Sequence, residues 1–109
     1  MAHAIVDAAG DKKASDIVML DLQPVALIAD YFVICEGQSA RQLRAIAEGI
    51  VESLKEQGER PLRMEGTPES GWILVDYGAV IAHVFSPELR HYYNLESLWK
   101  DAPMVVRIQ

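Results

Sequence analysis

The sequence predicts a single small α/β domain: a mixed β-sheet of about five strands with flanking helices. Three observations carry that prediction. One strongly amphipathic stretch between Ser39 and Gly58 repeats its apolar residues at helical spacing. It is flanked by short runs rich in Val, Ile, Tyr and Phe that read as strands. The strand–helix–strand succession across residues 31–65 calls for a right-handed parallel crossover, whereas the two runs at 72–85 form an antiparallel hairpin. At 109 residues the chain is one domain by default, spanning 1–109 with its core over about 3–103.

The elements follow in order. Residues 2–10 form a short helix with Ile5 and Val6 inward, and "GDKKASD" (10–16) is its exit. "DIVMLDL" (16–22) is a strand. "QPVALIAD" (23–30) is an irregular link, since Pro24 interrupts it. "YFVICEG" (31–37) is apolar on both faces and therefore central in the sheet. Ser39 caps the long helix, with Gln42 three residues on as its capping-box partner. Leu43, Ile46, Ala47, Ile50, Val51 and Leu54 share one face, Arg44 and Glu48 stand as an i,i+4 pair, and Gly58 stops the helix. "RPLRME" (60–65) is a short strand and "GTPESG" (66–71) a loop. "WILVD" (72–76) and "AVIAHVF" (79–85) pair across a tight turn at Tyr77-Gly78. Ser86 caps a two-turn helix with Pro87 at its first position. Asn94 caps a second short helix, "LESLW", and Pro103 prevents its extension.

Composition narrows the function. The formal charge is −6 and no basic stripe exists. Residues 1–40 carry six acids against Lys12 and Lys13 alone. Phosphate-led nucleic-acid binding needs clustered Lys and Arg, so little direct nucleic-acid binding is expected. An acidic chain is matched instead to a basic partner. The single cysteine, Cys35, can form no disulfide within the chain and points to a reducing, cytoplasmic setting. The N-terminus has neither a secretory pattern nor a transit-peptide composition. No apolar run approaches the ~20 residues of a membrane span.

Catalytic patterns are sparse. "CEGQS" (35–39) places Gly37 and Ser39 at a strand-to-helix turn, where backbone N–H groups could hold a phosphate. The plainer reading is that Gly37 makes the turn and Ser39 caps the helix. Nucleotidyltransferases share such a turn but need paired aspartates soon after it to hold metal ions. Here no aspartate occurs between Asp30 and Asp76. His3, His83 and His91 lack metal-ligand spacing. His83 lies on the strand side shared by Ile81 and Phe85 and reads as a core or groove histidine. Spacing alone leaves a Cys35–His83 pair open, with nothing to favour it. The expectation is that the chain is not an enzyme, with no cofactor and no metal.

What remains is a surface. Tyr92, Tyr93 and Trp99 are amphipathic residues of the kind that anchor interfaces, and two adjacent tyrosines on a helix cannot both point inward. The candidate partner-binding residues are Trp72, Asp76, Tyr77, Arg90, Tyr93, Leu95 and Trp99. Trp72 and Trp99 are the anchors and Asp76 the charge that pairs with a basic partner. Arg90 has an alternative role, with Glu96, as an internal positioner of the two short helices.

Two segments carry a family likeness: "ADYFVICEGQSARQLRAIAEGI" (29–50), and "EG" (65–66) leading into "GWILVDYGAVIAHVFSPELRHYYNLESLW" (71–99). Together they resemble the ribosomal silencing factor family, also called Iojap-like or RsfS proteins. The likeness runs from about residue 3 to Pro103. It implies an α/β fold related to nucleotidyltransferases but without their active site. It also implies binding to the large ribosomal subunit through its fourteenth protein, where the factor sterically prevents subunit joining and lowers translation when nutrients are scarce. Members of the family often dimerise in isolation. A vestigial nucleotide site at Gly37–Ser39 and a purely homodimeric role for the aromatic tail stay open as alternatives.

Overall fold

Ala2–Asp11 form α1 in the computed structural model, which describes residues 1–109. Strands β1 (Ser15–Asp21) and β2 (Tyr31–Glu36) follow, then the long helix α2 (Ala40–Glu56). β3 (Arg63–Glu65), a 3-10 turn (Pro68–Ser70), β4 (Trp72–Asp76) and β5 (Val80–Phe85) complete the middle of the chain. Two short helices, α3 (Pro87–Tyr93) and α4 (Leu95–Leu98), lead to β6 (Met104–Ile108). The sheet is mixed, with strand order β3-β4-β5-β2-β1-β6. Only β2 and β5 pair in parallel.

The mixed sheet agrees with the sequence, with two differences. A sixth strand extends it: β6 pairs antiparallel with β1, Met19 opposite Val106. "MVVRI" is a short, mostly exposed edge strand and lacks the alternation that marks a half-buried one. The crossover from β2 through α2 reaches β3 at the far edge, and the chain returns through β4 so that β5 becomes the parallel partner.

Local chemistry explains the element ends. Ser39 Oγ accepts from the Gln42 N–H at 3.1 Å, which caps α2. The Gln42 side chain departs from a capping box. Its oxygen accepts from the Gln38 N–H at 2.7 Å, and its amide donates to the Lys13 carbonyl at 2.9 Å, tying α2 to the exit of α1. Arg44 pairs with Glu69 at 3.9 Å rather than with Glu48, because the 3-10 turn brings that carboxylate beside it. The β4–β5 turn falls at Gly78-Ala79, one residue later than expected. Tyr77 still donates to the Val80 carbonyl, Gly78 has φ +84°, and Asp76 Oδ1 accepts from its N–H at 2.7 Å. Asn94 ends α3 in the left-handed region, φ 48°, and offers α4 no side-chain cap.

Both faces of the sheet are apolar, but they are covered differently. On one face α1 and α2 lay Ile5, Ile46, Ile50 and Leu54 over Val33, Cys35, Val75 and Val84. On the other, Val18, Leu20, Phe32, Ile34 and Phe85 are covered by α3, α4 and the 22–30 link, which contributes Leu22 and Ala29. No long helix seals this second face. Leu74 and Ile81 stay partly exposed there.

Candidate partner-binding face

Alternation along β4 and β5 builds the candidate face. Trp72, Leu74 and Asp76 point away from the helices, as do Ile81, His83 and Phe85, because Ile73, Val75, Ala82 and Val84 fill the helix side. The loop before β4 is pressed onto it. A Cβ on Gly66 would sit 1.9 Å from the Trp72 carbonyl oxygen, so only glycine fits. Thr67 and Ser70 cap the 3-10 turn reciprocally. After β5 the Ser86 N–H donates to the Gly71 carbonyl at 2.8 Å, and Ser86 Oγ caps α3. The tail is thereby folded back over the second face.

Aromatic rings then run across that face. Trp72 packs on Phe85 at 4.9 Å and on Tyr93 at 4.7 Å between centroids. Its indole Nε1 donates to His83 Nδ1 at 3.2 Å. Phe32 meets His83 edge-on at 4.6 Å and Trp99 at 6.1 Å. Burial drives His83 down to about 4, with Asp76 opposing, so the imidazole is neutral near pH 7. A cleft of about 260 Å³ opens between Trp72 and Tyr93, floored by Leu74 and Leu89 and rimmed by Glu65, Gly66 and Ser70.

Of the seven residues singled out from the sequence, four come together here. Trp72, Leu95 and Trp99 are half-buried against the second core, and Tyr93 is 46% exposed beside Trp72. Of the other three, Asp76 lies on the same face opposite Ile81, and Tyr77 and Arg90 face inward. Asp76 sits at the far end of β4, with one oxygen 3.0 Å from Arg63 Nε and the other bound to the Gly78 N–H. Tyr77 is buried on the helix side. Burial first, and Glu59 second, push its phenol up. Arg90 is buried and donates to Glu96 at 2.8 Å and to the Asp16 carbonyl at 2.6 Å, with Glu36 at 3.4 Å. Asp16 lies in an irregular stretch of β1, φ 47°, which turns that carbonyl toward the guanidinium. Arg90 therefore locks α3 and α4 to β1 and β2, the positioning role foreseen as its alternative.

The structure extends the face beyond the seven residues singled out from the sequence, and it exposes Leu98, whose residue type and helical position suggested core. Leu74 and Ile81 belong to the open part of the face, and strand alternation from Trp72 and His83 was enough to find them. Tyr92 and Leu98 are 76% and 70% exposed on the tail helices. Leu27, fully exposed, and Ile28 project from the link, where nothing periodic marked them.

The alternatives in chemistry fare differently. Cys35 and His83 face opposite sides of the sheet, since Cys35 stands opposite Val84 and His83 opposite Ile34. Burial pushes the Cys35 thiol up to about 12, far from a reactive thiolate. At the glycine–serine turn, a Cβ on Gly37 would lie 2.9 Å from Leu43 Cδ2, so this glycine serves close packing of the turn. The neighbouring depression carries Glu88 and Glu69, the latter paired with Arg44. No three His, Cys, Asp or Glu side chains gather as a metal site. No helix is long and apolar enough to cross a membrane.

Fold and face together define a small α/β domain with one sealed side and one aromatic, half-open side. The chain matches the family described as "Ribosomal silencing factor during starvation" over residues 1–109 and belongs to it. It is 50% identical over 97 residues to the ribosomal silencing factor RsfS of Bacillus subtilis (strain 168), covering 89% of this chain and 82% of that one. It is 34% identical to a mouse protein, "Mitochondrial assembly of ribosomal large subunit protein 1", covering 87% of this chain and 43% of that one. A crystal structure of a Bacillus halodurans protein superposes with TM-score 0.84 at 41% identity, covering 96% of this chain and 95% of that one. One from Chromobacterium violaceum gives 0.87 at 34% identity, covering 91% and 82%.

Proposed function

We propose that this chain binds the large ribosomal subunit through its fourteenth protein and sterically blocks joining of the small subunit, lowering translation under nutrient limitation in the cytoplasm. The observation that carries the reading is the half-open aromatic face on a rigid sheet, in a chain of this family. Blocking by occupancy requires no turnover, which agrees with the buried, unreactive Cys35 and the separation of Cys35 from His83. Trp72, Tyr93, Leu95 and Trp99 form the contact surface, extended by Leu74 and Ile81. Arg90 and Tyr77 support it from within, and Asp76 acts through the Arg63 pair and the hairpin turn. A net charge of −6 favours a basic ribosomal protein over bare RNA.

Sucrose-gradient sedimentation tests this reading. The protein is expected to travel with purified large subunits and to reduce joined ribosomes when small subunits are added. Protein that stays at the top of the gradient at modest salt would refute the reading. A role in large-subunit assembly, the activity named for the mouse relative, predicts the same co-sedimentation without loss of joined ribosomes.

A further inference from the structure

We infer that His83 is a positioning residue of the partner-binding face: it holds the Trp72 indole in the orientation that forms one wall of the cleft closed by Tyr93. The inference rests on the reading of this face as the ribosome-binding surface.

His83 occupies a place where packing alone calls for an apolar side chain. Its cross-strand neighbours are Ile34 on β2 and Leu74 on β4, and the same-face residues of its own strand are Ile81 and Phe85. It is 4% exposed. A buried imidazole is costly unless it is hydrogen-bonded on both sides, and this one is not. Nδ1 accepts from Trp72, which leaves the proton on Nε2, and Nε2 finds no partner in the protein. The one hydrogen bond this histidine's ring makes is with a half-buried tryptophan at the edge of the cleft.

Trp72 needs such a partner. It begins β4, with Phe85 beneath it and Tyr93 beside it, and stacking alone allows the ring to flip about its χ2 axis. The bond to His83 selects one of those orientations, directing the indole N–H inward while the side chain lines the cleft. Neutrality keeps Nδ1 an acceptor. The charged groups on the strands packed beside it, Asp76 on β4, Arg63 and Glu65 on β3 and Glu36 on β2, are engaged with one another, with the Gly78 turn or with Arg90. A side chain kept only for stability would be replaced by Leu without functional loss. A positioning residue would not.

The test uses the whole chain, ¹⁵N-labelled, with purified large subunits. In the unaltered protein the Trp72 indole N–H, assigned by its absence in Trp72→Phe, is expected to exchange with solvent at least about tenfold more slowly than a free indole. His83→Leu is expected to melt at the same temperature or higher, to lose that protection, and to bind large subunits about tenfold more weakly. His83→Asn, whose Oδ1 falls near the place of Nδ1, is expected to retain both. A folded His83→Leu that binds as well as the unaltered chain would overturn the inference. So would free-indole exchange in the unaltered protein, a measurement that needs no variant to fold. If the unaltered chain fails to sediment with large subunits, the ribosome reading falls, and the indole exchange still decides whether His83 orients Trp72.

Discussion

The two faces of one sheet differ in how they are covered, one sealed within the chain and the other, the proposed recognition surface, half open. On the helix side Ile5, Val33, Ile46, Ile50, Leu54, Val75 and Val84 are almost wholly buried under two helices. On the other side equally apolar strands are covered only by two short helices and a link, and Leu74, Ile81 and Tyr93 stay in reach of solvent. The first arrangement removes apolar area from water within the chain. The second leaves some of that area exposed beside aromatic rings, which is what the proposed contact surface requires. Polar groups differ in the same sense. The helix-side core holds two polar groups, the Cys35 thiol and the Tyr77 hydroxyl. The open side carries the Trp72–His83 bond and the Arg90 ion group beneath the tail.

The largest effect expected from breaking this division is on the sealed side. Ile50→Ala removes a fully buried side chain and is expected to cost up to about 5 kcal/mol in urea denaturation. Its binding to large subunits, measured where the protein remains folded, is expected to be unchanged. Arg90→Leu comes next. It leaves the Glu36 and Glu96 carboxylates, 20% and 28% exposed, without their cation. A loss of about 3 kcal/mol is expected, together with weaker binding as α3 and α4 loosen. Equal binding at full tail mobility, read by hydrogen exchange, would separate the tail from the recognition surface.

The open side also carries a pH signature. His83 has its folded-state pKa lowered to about 4 by burial, against about 6.5 unfolded. Between those values the unfolded chain binds more protons than the folded one, so stability rises with pH. It is undiminished above pH ~6.5 and falls progressively as the pH drops to about 4, by up to about 3 kcal/mol from this group. Carboxylates titrate near the lower end, so the measurement is a difference. Urea melts of the unaltered chain and of His83→Leu at pH 7, 6 and 5 are expected to converge in slope only above pH ~6.5. Parallel curves throughout would mean that His83 does not set this dependence. The smallest effect is expected at Arg44→Ala, which removes an exposed 3.9 Å pair with Glu69 and is expected to stay within about 0.5 kcal/mol by thermal melting.

Much of this division was legible in the sequence because it rests on periodicity. The α2 stripe from Leu43 to Leu54, its Ser39 cap and the β4–β5 hairpin all follow from local spacing, and each stands in the structure. β6 escaped because an edge strand with exposed Met104, Val105 and Ile108 shows no alternation to read. The face was only half legible. Residue type drew attention to Trp72, Tyr93 and Trp99, but type cannot say that Asp76 spends both oxygens inside the protein. Nor does it show that Arg90 collects carboxylates from residues 16, 36 and 96. Those assignments depend on which strands become neighbours, a long-range fact absent from any short window.

The most direct test of the account sets the two sides against each other on one gradient. Tyr93→Asp puts a charge on the open face at a position exposed enough to tolerate it, and Glu52→Arg changes the solvent side of α2. Both variants are sedimented with purified large subunits beside the unaltered chain. Tyr93→Asp is expected to remain at the top of the gradient while Glu52→Arg travels with the subunit. Co-sedimentation of Tyr93→Asp together with loss of Glu52→Arg would place recognition on the helix side and contradict that expectation.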